Sequence, residues 1–258
     1  MKTYPPPCAV LWDYDGTLVD TEGIWLDIEI EMMADRGVVW THEQGYALVG
    51  VSARTASTAM RAALPESDVS LQELSEERAT RVADRVRALP LPWRPGAEML
   101  LTALYEAGIP CGLYSASPAN VLHAGLSQLR PGVFATVVDG DSVTRGKPAP
   151  DGYLMAAGRL GFAARDCLVI EDSPSGTAAG RASGAVVLAV PDKCSLSEYP
   201  GQLLLPTLQG LSVADLQHYF AIGASQLSNR SNSPADGSLP LHCSVTDQLD
   251  LAVNELLL

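Results

Sequence analysis

Six short apolar runs recur along the chain: Ala9–Trp12, then residues 109–114, 133–138, 167–170, 185–190 and 203–205. Unbroken apolar runs this short suit strands buried on both faces. Segments with helical spacing separate most of them, opening at proline and closing at glycine. Residues 95–107 end at Gly108, 118–129 near Gly132, 150–160 at Gly161, and 174–183 at Gly184. Strands alternating with helices predict a parallel sheet covered by helices on both sides.

One stretch breaks the alternation. Residues 21–92 show helical patterns and no convincing strand. Ile24, Trp25, Ile28 and Met32 share one face, and Leu71, Leu74, Val82, Val86 and Leu89 another. Thr41 with Gln44, and Ser70 with Glu73, have capping-box spacing and mark helix starts. A helical insertion directly after the first strand predicts a cap over the carboxyl edge of the sheet, where open α/β folds bind ligands. The domains expected are a core of residues 1–20 and 93–220, a cap of 21–92, and a tail of 221–258. The tail, rich in Ser, Asn, Gly and Pro, reads as flexible, with a possible short helix at its end.

Composition narrows the function. The 258 residues carry a net charge of −13. That disfavours a basic face for nucleic acid or an anionic membrane. No apolar run reaches the length of a membrane span, and the opening MKTYPPPCAV does not read as a secretory leader. Five cysteines are scattered without CxxC spacing, and Cys8, Cys111 and Cys167 lie in or beside apolar runs. Buried reduced thiols in a cytoplasmic protein are the expectation.

Chemistry gathers where the strands end. After the first come Asp13 and Asp15, each disfavouring ionisation of the other, with Gly16 and Thr17 beyond. An ordinary Asp-Gly turn explains them; so does a nucleophile and an acid/base with a divalent cation between them. Ser115 ends the second run, and Ser117-Pro118 has the form of an N-cap and first helical residue. Such a helix start caps a helix and also attracts phosphate. Lys147 is either a solvated loop charge or a cation able to reach the same edge. Glu171 and Asp172 close a further run ahead of Ser173-Pro174. They either complement a helix dipole or supply oxygen ligands to Mg²⁺. Four carboxylates on one edge, with Lys147 alone to balance them, leave room for a cation.

The segments DYDGT, YSAS, GKPAPDGY and EDSPSG, in this order, resemble the four motifs of the haloacid dehalogenase superfamily, and within it the phosphatase and β-phosphoglucomutase-like branch with a helical cap. The resemblance covers residues 9–220. It implies an α/β fold, a Rossmann-like three-layer core with a parallel sheet plus an inserted all-helical cap domain. It also implies Mg²⁺ and a covalent aspartyl-phosphate. Carried onto this chain, Asp13 is the nucleophile and Asp15 the general acid/base. Ser115, Ala116 and Lys147 bind the phosphoryl group. Asp172 ligates the metal with Asp13 and the backbone carbonyl of Asp15, and Glu171 supports them.

The same resemblance separates the branches. An aspartate at position 15 argues for phosphoryl transfer over halide removal. No lysine lies between Thr21 and Pro92, which excludes the Schiff-base chemistry of the phosphonoacetaldehyde hydrolases. Mutases carry a histidine where Trp25 stands, and their Gly-Val-Ser-Arg motif is interrupted here by Ala53 before Arg54. The expectation is therefore a phosphatase for a small sugar, polyol or glycolate type phosphate, with a phosphosugar mutase as the alternative. Glu22, Trp25 and Arg54 are the candidate substrate contacts from the cap, although packing between cap helices also explains Trp25. His42 and His123 read as ordinary helix-surface residues. A monomer acting on a small phosphorylated metabolite is expected. A non-catalytic binding protein on the same fold would have lost Asp13, Asp15 or Lys147.

Overall fold

A computed structural model describes residues 5–48, 53–65 and 69–231. Six strands form one parallel sheet: β1 (Ala9–Trp12), β2 (Cys111–Tyr114), β3 (Thr136–Val138), β4 (Cys167–Glu171), β5 (Val186–Ala189) and β6 (Gln202–Leu204). Their spatial order is β3-β2-β1-β4-β5-β6. The order turns at β1, so β2, which leads into Ser115, and β4, which ends at Glu171, flank the strand that leads into Asp13. Each of the six predicted apolar runs contains a strand, with ends that differ from the prediction by up to three residues.

Period-two alternation sends each strand's side chains to two separate cores. Val10, Trp12, Leu113, Leu168, Ile170, Val186 and Leu188 meet α5 (Ala97–Glu106), α6 (Ala119–Leu126) and α9 (Val213–Ser231) on one face. Leu11, Tyr114, Val169 and Val187 meet α7 (Asp151–Arg159) and α8 (Pro174–Ala182) on the other. The result is a three-layer α/β core.

Between β1 and α5 lie the predicted helices: α1 (Glu22–Ala34), α2 (His42–Tyr46), α3 (Ala53–Ala63) and α4 (Leu71–Ala88). Both capping boxes form, at Thr41 with Gln44 and at Ser70 with Glu73. Ile28, Met32, Leu74, Val82 and Val86 are buried in one cap cluster, with Ile24 and Trp25 packed against it. That cluster takes in Val121 and Ala124 of α6, and Gln128 donates to the Val86 carbonyl oxygen at 2.8 Å. The cap therefore shares a hydrophobic core with one helix of the sheet layer. The two chain crossings run side by side: the Asp20 N–H donates to the Pro92 carbonyl at 2.7 Å, and the Arg94 N–H to that of Leu18 at 3.0 Å.

Three expectations need correction. Leu89 is exposed, because α4 ends at Ala88 and the backbone turns extended. Cys8 is exposed because it precedes β1, whereas Cys111 and Cys167 are buried free thiols. The tail does not begin at residue 221: α9 continues to Ser231. Phe220, Ala224 and Leu227 repeat at helical spacing and pack on the first core cluster, and Gln226 Oε1 accepts the Gly201 N–H at 2.9 Å. Polar composition hid that stripe. The rest of the tail, including the expected terminal helix and Cys243, lies outside the described residues, as does the Gly-Val-Ser stretch before Arg54.

Candidate active site

Asp13 follows β1 directly, and the twist of a parallel sheet brings the ends of β2 and β4 beside it. The backbone turns back at Gly16, whose φ is 84°. A Cβ there would lie 2.2 Å from Asp172 Oδ2, so only glycine permits this approach. Thr17 Oγ1 then donates to Asp172 Oδ1 at 3.0 Å.

Lys147 occupies the centre. Its ammonium donates to Asp13 Oδ1 and, at 2.6 Å, to Glu171 Oε1. Burial alone would lower its pKa, but Asp13 and Glu171 overcome that and hold it well above the ordinary lysine value. Tyr153 Oη donates to the same Glu171 oxygen at 3.2 Å. Glu171 Oε2 accepts from the backbone N–H groups of Asp172 and Ser173, each at 2.9 Å, and from Ser173 Oγ at 3.0 Å. Both its oxygens are thus committed. Ser173 caps α8 as predicted, with Pro174 in the first turn.

Asp13, Glu171 and Asp172 each bring a carboxylate oxygen to one spot, all within 4.8 Å of one another. Asp13 Oδ2 is buried there without a hydrogen-bond partner. Burial, with Glu171 and Asp15 nearby, raises Asp13 to about 7 even against Lys147. Burial and the charges of Glu171 and Asp13 hold Asp172 well above the usual carboxylate range. An orphaned buried carboxylate oxygen beside a second carboxylate is a set of hard oxygen donors, and a divalent cation fits it. With Glu171 saturated, Asp13 and Asp172 are the carboxylates that could hold the cation.

Asp15 faces the other way, and its side chain is not part of that cluster. Its Oδ1 accepts from Thr21 Oγ1 and from Trp25 Nε1, the latter at 3.4 Å. Its Oδ2 accepts from Ser115 Oγ at 3.0 Å and Ser117 Oγ at 2.6 Å. Ser117 is consequently not the N-cap of α6, a position taken by Pro118. Its hydroxyl is drawn off by the carboxylate, which a reading of local caps could not foresee.

A cleft of about 720 Å³ opens between this edge and the cap. Asp13, Asp15, Ser115, Ala116 and Lys147 form its core side. Glu22, Trp25 and Arg54 all line it from the cap, so the structure gathers every one of these sequence-predicted residues. Trp25 packs on the cap core, as the second reading expected, and its ring N–H reaches Asp15. Arg54 is exposed at the rim. Glu22 also sits with Asp20 and Asp192, where burial first, and then Asp192, raises its carboxyl to about 7.

Sequence reading missed Glu29 and Arg78, which line the cleft and pair with each other in the cap. Arg78 interrupts the apolar stripe of Leu74, Val82 and Val86; Glu29 lies four residues after Trp25. A lone charge on each of two buried stripes was the available signal.

The model of the haloacid dehalogenase-like hydrolases matches residues 9–184. The chain is 34% identical over 196 residues to hexitol phosphatase A of Escherichia coli, covering 70% of this chain and 81% of that protein. It is 35% identical over 192 residues to the bifunctional riboflavin kinase/FMN phosphatase of Arabidopsis thaliana, covering 71% of this chain but only 48% of that protein. The crystal structure of CbbY from Rhodobacter sphaeroides in complex with phosphate shares the fold, with a TM-score of 0.71 at 22% identity over 80% of this chain and 96% of that one. The motifs, the sheet order, the acidic edge and these likenesses agree: the chain belongs to the haloacid dehalogenase-like hydrolases.

Proposed function

We propose that the chain is a Mg²⁺-dependent phosphatase for a small sugar or polyol phosphomonoester, working through an aspartyl-phosphate on Asp13. One observation carries the reading. Asp13 Oδ2 is buried and unpartnered on the acidic edge, in a carboxylate whose other oxygen is held by Lys147. The relatives named for phosphatase activity, one of them acting on hexitol phosphates by its name, support it.

Asp13 and Asp172, with the backbone carbonyl of Asp15, would hold the cation, which when bound offsets the charge of the two anions that must meet. Lys147 and Ser115 lie where they would hold and neutralise the phosphoryl oxygens. Asp15 would give a proton to the leaving alkoxide, then take one from the water that hydrolyses the intermediate. Its hydrogen bonds suit a proton that comes and goes. The Ser115 and Ser117 hydroxyls on Oδ2 and the Thr21 hydroxyl on Oδ1 can rotate from donor to acceptor, whereas the Trp25 indole N–H can only donate. Trp25 stands where a mutase would carry histidine, and Ala53 interrupts the mutase-like motif before Arg54, so the phosphatase is the reading favoured.

The test is phosphate release from a panel of small phosphomonoesters, with and without Mg²⁺, beside Asp13→Asn. Mg²⁺-dependent release that the variant lacks is expected. A wild type that hydrolyses none of them would overturn the reading.

A further inference from the structure

Among the described residues, Glu29 and Arg78 are the buried charges of the cap, 2% and 7% exposed. Arg78 Nε donates to Glu29 Oε1 at 2.9 Å, and Nη2 donates to the same oxygen. The guanidinium lies 4.3 Å from the centre of the Trp25 ring, and that ring's N–H reaches Asp15. A continuous wall thus runs from the catalytic edge to the far end of the cleft: Asp15, Trp25, Arg78, Glu29. Glu29 and Gly45 both line the cleft, and a Cβ at Gly45 would meet Leu26 Cδ1 at 2.0 Å, with Glu29 Oε2 3.5 Å away.

A buried ion pair is poor value as a stabiliser, since apolar residues of similar size serve as well or better. Its neighbours on both stripes are apolar. Its position on the cleft suggests another use. Alone, Arg78 would be a desolvated cation facing the ligand, suited to a second phosphate. Paired, it contributes no net charge. Two of its five N–H donors are committed to Glu29, and the others can donate to hydroxyl oxygens, while Glu29 Oε2 can accept from a hydroxyl. Arg54, the other cap cation on the cleft, is exposed and screened by water.

We propose that Glu29 sets the charge preference of the cleft: paired with Arg78 beside Trp25, it leaves the inner cap wall without net charge and selects phosphomonoesters whose far end is a hydroxylated chain over those bearing a second phosphate. The proposal rests on the phosphatase reading above.

The experiment compares kcat/KM for glucitol 6-phosphate and fructose 1,6-bisphosphate, using the full chain with Mg²⁺. A ratio of two substrates on one preparation is insensitive to the folded fraction, so a merely structural role for the pair would not move it. The wild type is expected to favour the monophosphate. Glu29→Gln, which frees Arg78, is expected to shift the ratio towards the bisphosphate by at least about tenfold. Arg78→Met, which leaves the carboxylate alone, is expected to shift it the other way, and serves if Glu29→Gln does not fold. A wild type that favours the bisphosphate, or ratios that stay put in the variants, would overturn the proposal while leaving the phosphatase intact. No turnover of either ester or of p-nitrophenyl phosphate would overturn the phosphatase reading, and this proposal with it.

Discussion

Replacing Asp13 by asparagine should stabilise the protein while abolishing turnover. Asp13 has an ordinary pKa of 3.8 in an unfolded chain and about 7 in the native one. Burial is the main cause, with Glu171 and Asp15 adding to it and Lys147 opposing. Between pH 4 and 7 the native state keeps a proton that the unfolded chain has released. Stability therefore falls as pH rises through this window and stays low above it. Roughly 3 pH units at 1.36 kcal/mol each make a penalty of about 4 kcal/mol at pH 8, and about 1.6 kcal/mol at pH 5. Asparagine keeps the shape and an oxygen for Lys147 but carries no charge, and Lys147 retains Glu171 as its partner. Urea unfolding in EDTA should show the variant more stable than wild type by about 2–4 kcal/mol at pH 8, with a smaller margin at pH 5. Comparing the two proteins cancels the parallel effect of Glu22, while Asp172, whose carboxyl the charge of Asp13 helps to raise, is relieved in the variant and adds to the margin. A margin that is zero or negative at pH 8, or that does not widen from pH 5, would refute the reasoning.

Other consequences follow from packing. Gly16→Ala would place a methyl 2.2 Å from Asp172 Oδ2 at a positive φ. Calorimetry should show divalent-metal affinity lowered by about 10–100-fold, and unchanged affinity would sink the assignment of Asp172. Leu74→Ala opens a cavity in the cap core and should cost about 2–5 kcal/mol by urea unfolding. Ending the chain at Phe220 removes Leu227 and the Gln226 bond to Gly201. Relative to a chain ending at Ser231, a loss of roughly 2–4 kcal/mol is expected, and equal midpoints would mean that the last three turns of α9 contribute nothing.

The core was legible because its strands are buried on both sides and read as apolar runs, and because proline and glycine punctuate its helices. The catalytic edge was legible because parallel strands must present their carboxyl ends together, so four short motifs could be assigned to one place. The failures share a cause in long-range partners. Ser117 looked like a cap until Asp15, 102 residues away, claimed its hydroxyl. Glu29 and Arg78, separated by 49 residues, were passed over because neither stripe shows that the other exists. The tail was misread because serine and asparagine on the outer face of α9 masked an apolar stripe carried by Phe220, Ala224 and Leu227.

The contact of α4 with α6 bears on how such enzymes can be rebuilt. A cap reached through two adjacent chain crossings invites treatment as an exchangeable cassette, to be swapped between relatives at residues 20 and 92. Here Val82, Ala83 and Val86 are covered by Val121 and Ala124 of the sheet layer, and Gln128 holds the end of the helix. A transplanted cap would arrive with a surface shaped for a different α6, leaving part of a shared core unmatched. A working chimera would have to carry the cap-facing side of α6 across with the cap, so the unit of exchange is discontinuous in sequence.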